Sequence, residues 1–186
     1  MGVLSNLEWD ETRQAKWLTR RIMSDLRLGI ELTSYYHTVD LVGYRGKTNF
    51  KGILCGTDCT PQPSYRAYQC LCALFDGQTS IASDRSLSLV DQQEGFLQKA
   101  MFTRDGRGIW AYWYPADLQK GWLGKPISLR LGGPADALPK DSVLVDTLTG
   151  TAYGLTPTVQ SQESVAYQDI PLLDYPLLIT EAKALA

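Results

Sequence analysis

The chain has 186 residues, 44% of them hydrophobic, and a formal net charge of −2, which suits a packed globular core and excludes a disordered chain. With no sustained run of Lys or Arg, a nucleic-acid backbone is not an expected partner. No apolar stretch reaches the roughly 18 residues of a membrane span, so no membrane partner is expected.

Residues 7–28 read as a helix. Ala15, Leu18, Ile22 and Leu26 recur at spacings of three and four, the stripe of an amphipathic helix. Ser5 and Glu8 match a capping box, and Asp10 and Glu11 are first-turn acids that suit the helix dipole. Arg20-Arg21 reads as a solvated face. Gly29 is placed to end the helix in a left-handed cap. Residues 30–36 are rich in β-branched and aromatic side chains and read as a strand. A loop with Gly43, Gly46 and Lys47 follows, then a short apolar return over 49–54. Pro61 and Pro63 introduce a second helix over 64–75, with an apolar stripe of Tyr65, Tyr68, Leu71, Cys72 and Phe75. Asp76-Gly77 ends it. One strand between two helices cannot satisfy its own edges, so its neighbours must come from elsewhere.

From residue 79 the pattern changes to short strands with turn signals between them: 79–82, 87–90, 96–103, 108–114, 126–131, 142–148, 152–155, 164–170 and 176–179. Turns fit at Asp105-Gly106, Gly132-Gly133-Pro134 and Thr149-Gly150. This spacing suggests an antiparallel sandwich. Ile109, Ala111 and Trp113 alternate with Trp110, Tyr112 and Tyr114, so both faces of that strand are bulky and it is expected to be central.

The chain has four cysteines and one histidine, His37. Cys55 and Cys59 flank a three-residue loop and could bridge if their Cα atoms approach within about 7 Å. Cys70 and Cys72 point in different directions on a helix and read as small hydrophobes. The spacing does not fit a zinc site, and a single histidine without a nucleophile elbow does not support a hydrolase triad. No cofactor and no metal is expected.

Five segments form one ordered series: Gln14-Ala15-Lys16-Trp17-Leu18-Thr19-Arg20-Arg21, Gly29-Ile30, Ser34-Tyr35-Tyr36-His37, Asn49-Phe50-Lys51-Gly52-Ile53-Leu54, and Pro61-Gln62-Pro63-Ser64-Tyr65-Arg66-Ala67-Tyr68. The series resembles the end of the catalytic barrel in clan-A TIM-barrel retaining glycoside hydrolases, with the β-xylosidase and α-L-iduronidase-like members nearest. Residues 109–113 and 143–150 look like runs in the β-sandwich that commonly follows such barrels. The likeness in order covers nearly the whole chain and is sharp over 14–68. There are departures: the family's Trp-Tyr-acid at the eighth strand is here Tyr35-Tyr36-His37, Lys51 precedes Gly52, and Ser64 replaces a commoner alanine.

The resemblance implies an α+β fold: the end of a (β/α) barrel (helix–strand–helix) over 1–78, then an antiparallel β-sandwich over 79–186. It implies carbohydrate as the partner of a parent enzyme that hydrolyses glycosidic bonds with retention. Such chemistry needs two carboxyl groups about 5–5.5 Å apart. In the family the acid/base follows the fourth strand and the nucleophile ends the seventh; this chain resembles the part at or after the seventh strand, so it is expected to lack both and to be inactive alone. Glu8 could be argued as the nucleophile, but its place three residues after Ser5 suits a cap.

Tyr35, Tyr36 and His37 would lie at the C-terminal end of the eighth strand, the face where barrel enzymes build their sites. Either tyrosine could stack on a sugar ring, and His37 could hydrogen-bond a hydroxyl or anchor a loop. Asp40 could contact substrate or orient its loop. Residues 1–6 lack the regions of a signal peptide, so a secreted or periplasmic parent would carry its signal upstream. An uncovered barrel edge would favour self-association. A second reading makes the chain a non-catalytic carbohydrate-binding or accessory sandwich that uses Trp110, Tyr112, Trp113 and Tyr114. In a sandwich, such a row is otherwise core.

Overall fold

A computed structural model describes residues 10–90, 97–118 and 124–185. Helix α1 spans Glu11–Arg27. Its N-cap is Asp10, whose carboxylate accepts the Arg13 N–H at 2.8 Å. The Ser5–Glu8 box lies outside the described residues. The C-terminus closes as expected: Gly29 has φ +70°, its N–H donates to Leu26 and the Ile30 N–H to Asp25, the paired bonds of a Schellman motif.

The segment expected as a strand over 30–36 is not one. It joins no ladder, and the nearest pairing is one parallel bridge, Val39 to Leu54. Its residue types favour a strand, but a strand is completed by a partner, and the described residues place none beside it. The loop that follows holds a hairpin that the sequence did not suggest. Strands β1 (Leu41–Tyr44) and β2 (Lys47–Asn49) turn at Arg45-Gly46, both with positive φ, as a two-residue primed turn requires.

Helix α2 spans Pro63–Leu74 and buries Ser64, Ala67, Leu71 and Leu74. This stripe is rotated from the expected one: Tyr68 and Cys72 are exposed. Small residues at the start of α2 let it lie close to its neighbours, and close approach outweighs the bulk of the tyrosines.

The strands after residue 78 follow the sequence closely. They are β3 (Thr79–Ile81), β4 (Ser86–Leu89), β5 (Gln98–Arg104), β6 (Arg107–Trp113), β7 (Lys125–Gly132), β8 (Ser142–Asp146), β9 (Ala152–Gly154), β10 (Val159–Gln160), β11 (Ser164–Leu172) and β12 (Leu177–Glu181). The two-residue β10 was not anticipated. Two antiparallel sheets result, ordered β10-β11-β7-β4 and β3-β5-β6-β12-β8-β9. The fold is α+β, with sandwich-like sheets.

Strand β6 is central, and its two faces serve two cores. Trp110 and Tyr112 point between the sheets, among Leu87, Leu129, Leu131, Tyr167 and Ile179. Ile109, Ala111 and Trp113 point outward with Phe102 and Leu178, against Met23 of α1 and Leu71 and Leu74 of α2. The molecule therefore has three layers: helices, six-stranded sheet, four-stranded sheet. Polar struts tie the helices down. Lys16 pairs with Asp174 at 2.8 Å, Arg20 donates to the Ala116 carbonyl at 2.6 Å, and Arg27 donates to Gln98 at 2.6 Å.

Candidate functional site

Four residues singled out by the sequence, Tyr35, Tyr36, His37 and Asp40, lie along the unladdered segment after α1. The structure divides them into two that hold the frame and two that face outward or stay unpaired.

Tyr35 is half-buried beside α1. Its hydroxyl accepts from Gln14 Nε2 at 2.8 Å and donates to the Lys51 carbonyl at 3.0 Å. Gln14 Nε2 also donates to the Gly52 carbonyl at 2.7 Å. One buried amide thus ties α1, the segment and the return loop together. Burial raises the Tyr35 pKa, so the phenol stays neutral and can both donate and accept.

Asp40 is buried, and both its oxygens are engaged. Oδ1 accepts the Gly52 N–H at 2.7 Å and Oδ2 accepts from Gln62 Nε2 at 2.9 Å. These bonds tie Asp40 to the return loop and to the start of α2. The return loop packs so closely that Gly52 has no room for a side chain: a Cβ would fall onto the backbone of Val39 and Asp40 and lie 2.7 Å from the Leu54 carbonyl oxygen. At Gly56 a Cβ would lie 2.5 Å from the Asp40 carbonyl oxygen.

Tyr36 and His37 are placed differently. The Tyr36 side chain is 73% exposed. Its ring stacks on that of His37, with centroids 3.6 Å apart and planes tilted by 33°, and the peptide between them is cis. His37 is 8% exposed, and its Nε2 has no hydrogen-bond partner among the described residues. Burial and the nearby Lys51 charge lower its pKa, against an opposing pull from Asp40. The imidazole is therefore neutral at pH 7. A buried, unpaired ring nitrogen costs free energy, and a ligand hydroxyl would remove that cost.

Several apolar side chains between residues 28 and 50 are exposed. Leu28, Ile30, Leu32, Tyr36, Val42, Tyr44 and Phe50 are all exposed, Leu32 at 83%. They fall within one stretch of the chain, residues 28–50.

Elsewhere the aromatic row of the sandwich is enclosed. Trp110, Tyr112 and Trp113 are buried; Trp110 Nε1 donates to the Ser86 carbonyl at 3.1 Å and the Tyr112 hydroxyl to that of Pro171 at 3.1 Å. These rings are core and present no face to a sugar. All four cysteines are free. Among the described residues no His, Cys, Asp and Glu cluster could hold a metal, and no helix is long and apolar enough to cross a membrane.

Sequence reasoning missed the role of Gln14, Gly52 and Gln62. The available signal was a glutamine next to Ala15, on the buried side of a helix, where a polar side chain needs a partner.

No protein-family model and no curated protein matches the chain. Among solved structures, the chain is similar to a cycloisomaltooligosaccharide glucanotransferase from Paenibacillus sp., determined with cycloisomaltoheptaose. The match has 15% identity and a TM-score of 0.46, over 63% of this chain and 20% of that one. The chain spans about a fifth of that enzyme's length.

Proposed function

We propose that this chain is the C-terminal part of a glycoside hydrolase, and that Tyr36 and His37 form one wall of its sugar site. The observation that carries this reading is an exposed aromatic ring stacked on a buried imidazole whose Nε2 has no partner among the described residues. The flat face of Tyr36 suits the C–H face of a pyranose ring, and the neutral His37 can exchange a hydrogen bond with a hydroxyl. Tyr35 and Asp40 act behind them as positioning residues.

Two further points support the reading. The order of motifs over 14–68 resembles the end of a clan-A barrel, and the segment where that family has its last strand is unladdered here. Its exposed apolar side chains suit coverage by neighbouring strands of the parent; in the chain alone they favour self-association. The carboxylates for hydrolysis with retention are assigned to the rest of the enzyme. The competing accessory-module reading needs an exposed aromatic row, and three of its four rings, Trp110, Tyr112 and Trp113, are buried.

An aryl-glycoside panel tests the proposal. The 186-residue chain is expected to release no aglycone, whereas the product of the whole reading frame containing it releases aglycone from at least one substrate. Robust turnover by the chain alone, or an inactive whole product, would contradict it.

A further inference from the structure

The return loop carries a feature that the sugar reading does not use. Residues 53–55 and 60–62 run antiparallel: the Gln62 N–H donates to Ile53, the Cys55 N–H donates to Thr60 at 2.9 Å, and Leu54 bridges Pro61. The turn between them closes with a bond from the Cys59 N–H to the Cys55 carbonyl at 3.0 Å. Such an i→i+4 bond makes an α-turn and holds its end Cα atoms near the spacing of one helical turn, about 6 Å. That lies inside the Cα range of about 4.4–6.8 Å that a disulfide spans.

Cys59 has φ +58°, in the left-handed region that glycine and asparagine usually fill. A cysteine there accepts a backbone cost that glycine would not carry. Cys59 is exposed and Cys55 half-buried, and the Cys55 Sγ lies on the turn itself, 3.2 Å from Thr57 Oγ1. The other two cysteines are placed differently. Cys70 is half-buried, with its thiol pushed up to about 11 by burial. Cys72 is exposed on α2, where residues two apart do not face each other.

We propose that Cys55 and Cys59 are a reversible disulfide switch that staples this loop. The oxidant is a low-molecular-weight disulfide such as oxidised glutathione. The Cys59 thiolate attacks one of its sulfurs, forming a mixed disulfide and releasing one glutathione thiolate. The Cys55 thiolate then attacks the protein sulfur of that mixed disulfide and releases the second glutathione. The two cysteine protons end on the two departing thiols, so two thiols and one disulfide become one disulfide and two thiols.

The closed loop would tighten the site frame from behind. Its first strand donates the Ile53 and Leu54 N–H groups to the Thr38 carbonyl, and Leu54 accepts the Asp40 N–H. Thr38 directly follows the Tyr36–His37 pair.

The test is oxidation of the whole chain with oxidised glutathione, followed by intact mass, alkylation mapping and amide exchange. The expected product has lost two hydrogen masses, with Cys55 and Cys59 blocked to alkylation and Cys70 and Cys72 still reactive once unfolded. Exchange at Ile53 and Leu54 slows several-fold, and a thiol reductant reverses both effects. A Cys70→Ser/Cys72→Ser variant should behave the same, which keeps the test independent of α2. Stable glutathione adducts on Cys55 or Cys59, or both thiols remaining alkylatable, would overturn the proposal. This outcome does not depend on any sugar binding.

Discussion

Lys16 Nζ lies 2.8 Å from Asp174 Oδ1, with the two side chains 4% and 0% exposed. One comes from α1 and the other from the turn before β12, so the pair joins the helical layer to the sandwich. Lys16 Nζ also sits 5.6 Å from the centre of the Tyr175 ring. Removing Lys16 takes away the cation nearest this buried carboxylate and leaves it the more distant charge of Arg20. Lys16→Met is therefore expected to cost about 3–5 kcal/mol, and Lys16→Met combined with Asp174→Leu much less. Urea unfolding of both variants measures the difference.

Gly52 is predicted to be the least replaceable glycine of the loop. Gly52→Ala should cost about 1–3 kcal/mol or more, because its Cβ meets backbone rather than a movable side chain. Gly77 has nothing within 4 Å of a built Cβ, and Gly77→Ala should change stability by less than about 0.5 kcal/mol. Thermal melts of the two variants provide the comparison.

The core aromatics and the exposed one should separate stability from recognition. Trp110→Ala is expected to cost about 3–5 kcal/mol through the cavity it leaves. Tyr36→Ala should leave stability within about 0.5 kcal/mol, because its ring faces solvent. Circular dichroism melts test both.

His37 gives a pH dependence of stated sign. Its folded pKa lies below its unfolded value of 6.5, first through burial and then through Lys51. The unfolded chain therefore binds the proton more readily than the folded one. The neutral imidazole's contribution is fully present above the unfolded value. It is lost as pH falls through that value toward the depressed folded one. Unfolding free energy should drop between pH 7 and 5 in the wild type and stay flatter in His37→Gln.

The sandwich was legible because its strands alternate: Trp110 and Tyr112 against Ile109, Ala111 and Trp113 is a pattern of period two that burial on two faces explains. Residues 30–36 show the limit of such reading. Their β-branched and aromatic content is a local property, but a ladder depends on a second strand that composition does not reveal. The hairpin around Arg45-Gly46 was hidden because its glycines resemble those of an open loop. The phase of α2 was misjudged because Tyr65 and Tyr68 outweigh Ser64 and Ala67 on any hydrophobic count, whereas packing favoured the small residues.

At the candidate site, the aromatic pair and Asp40 stand out in the sequence, whereas the roles of Gln14, Gly52 and Gln62 do not. Gln14, Asp40, Gly52 and Gln62 meet through hydrogen bonds that span 12 to 38 residues. No spacing rule links such positions.

The most direct test of the account uses the fact that His37 is the only histidine in the chain, so its ring signals in an NMR spectrum are unique. Titration with neutral oligosaccharides should shift the His37 Nε2 and ring-proton resonances saturably, and Tyr36→Ala should abolish the shift without unfolding the protein. Unmoved His37 resonances at saturating concentrations of every pentose- and hexose-based oligosaccharide tried would contradict a sugar-facing role for this pair.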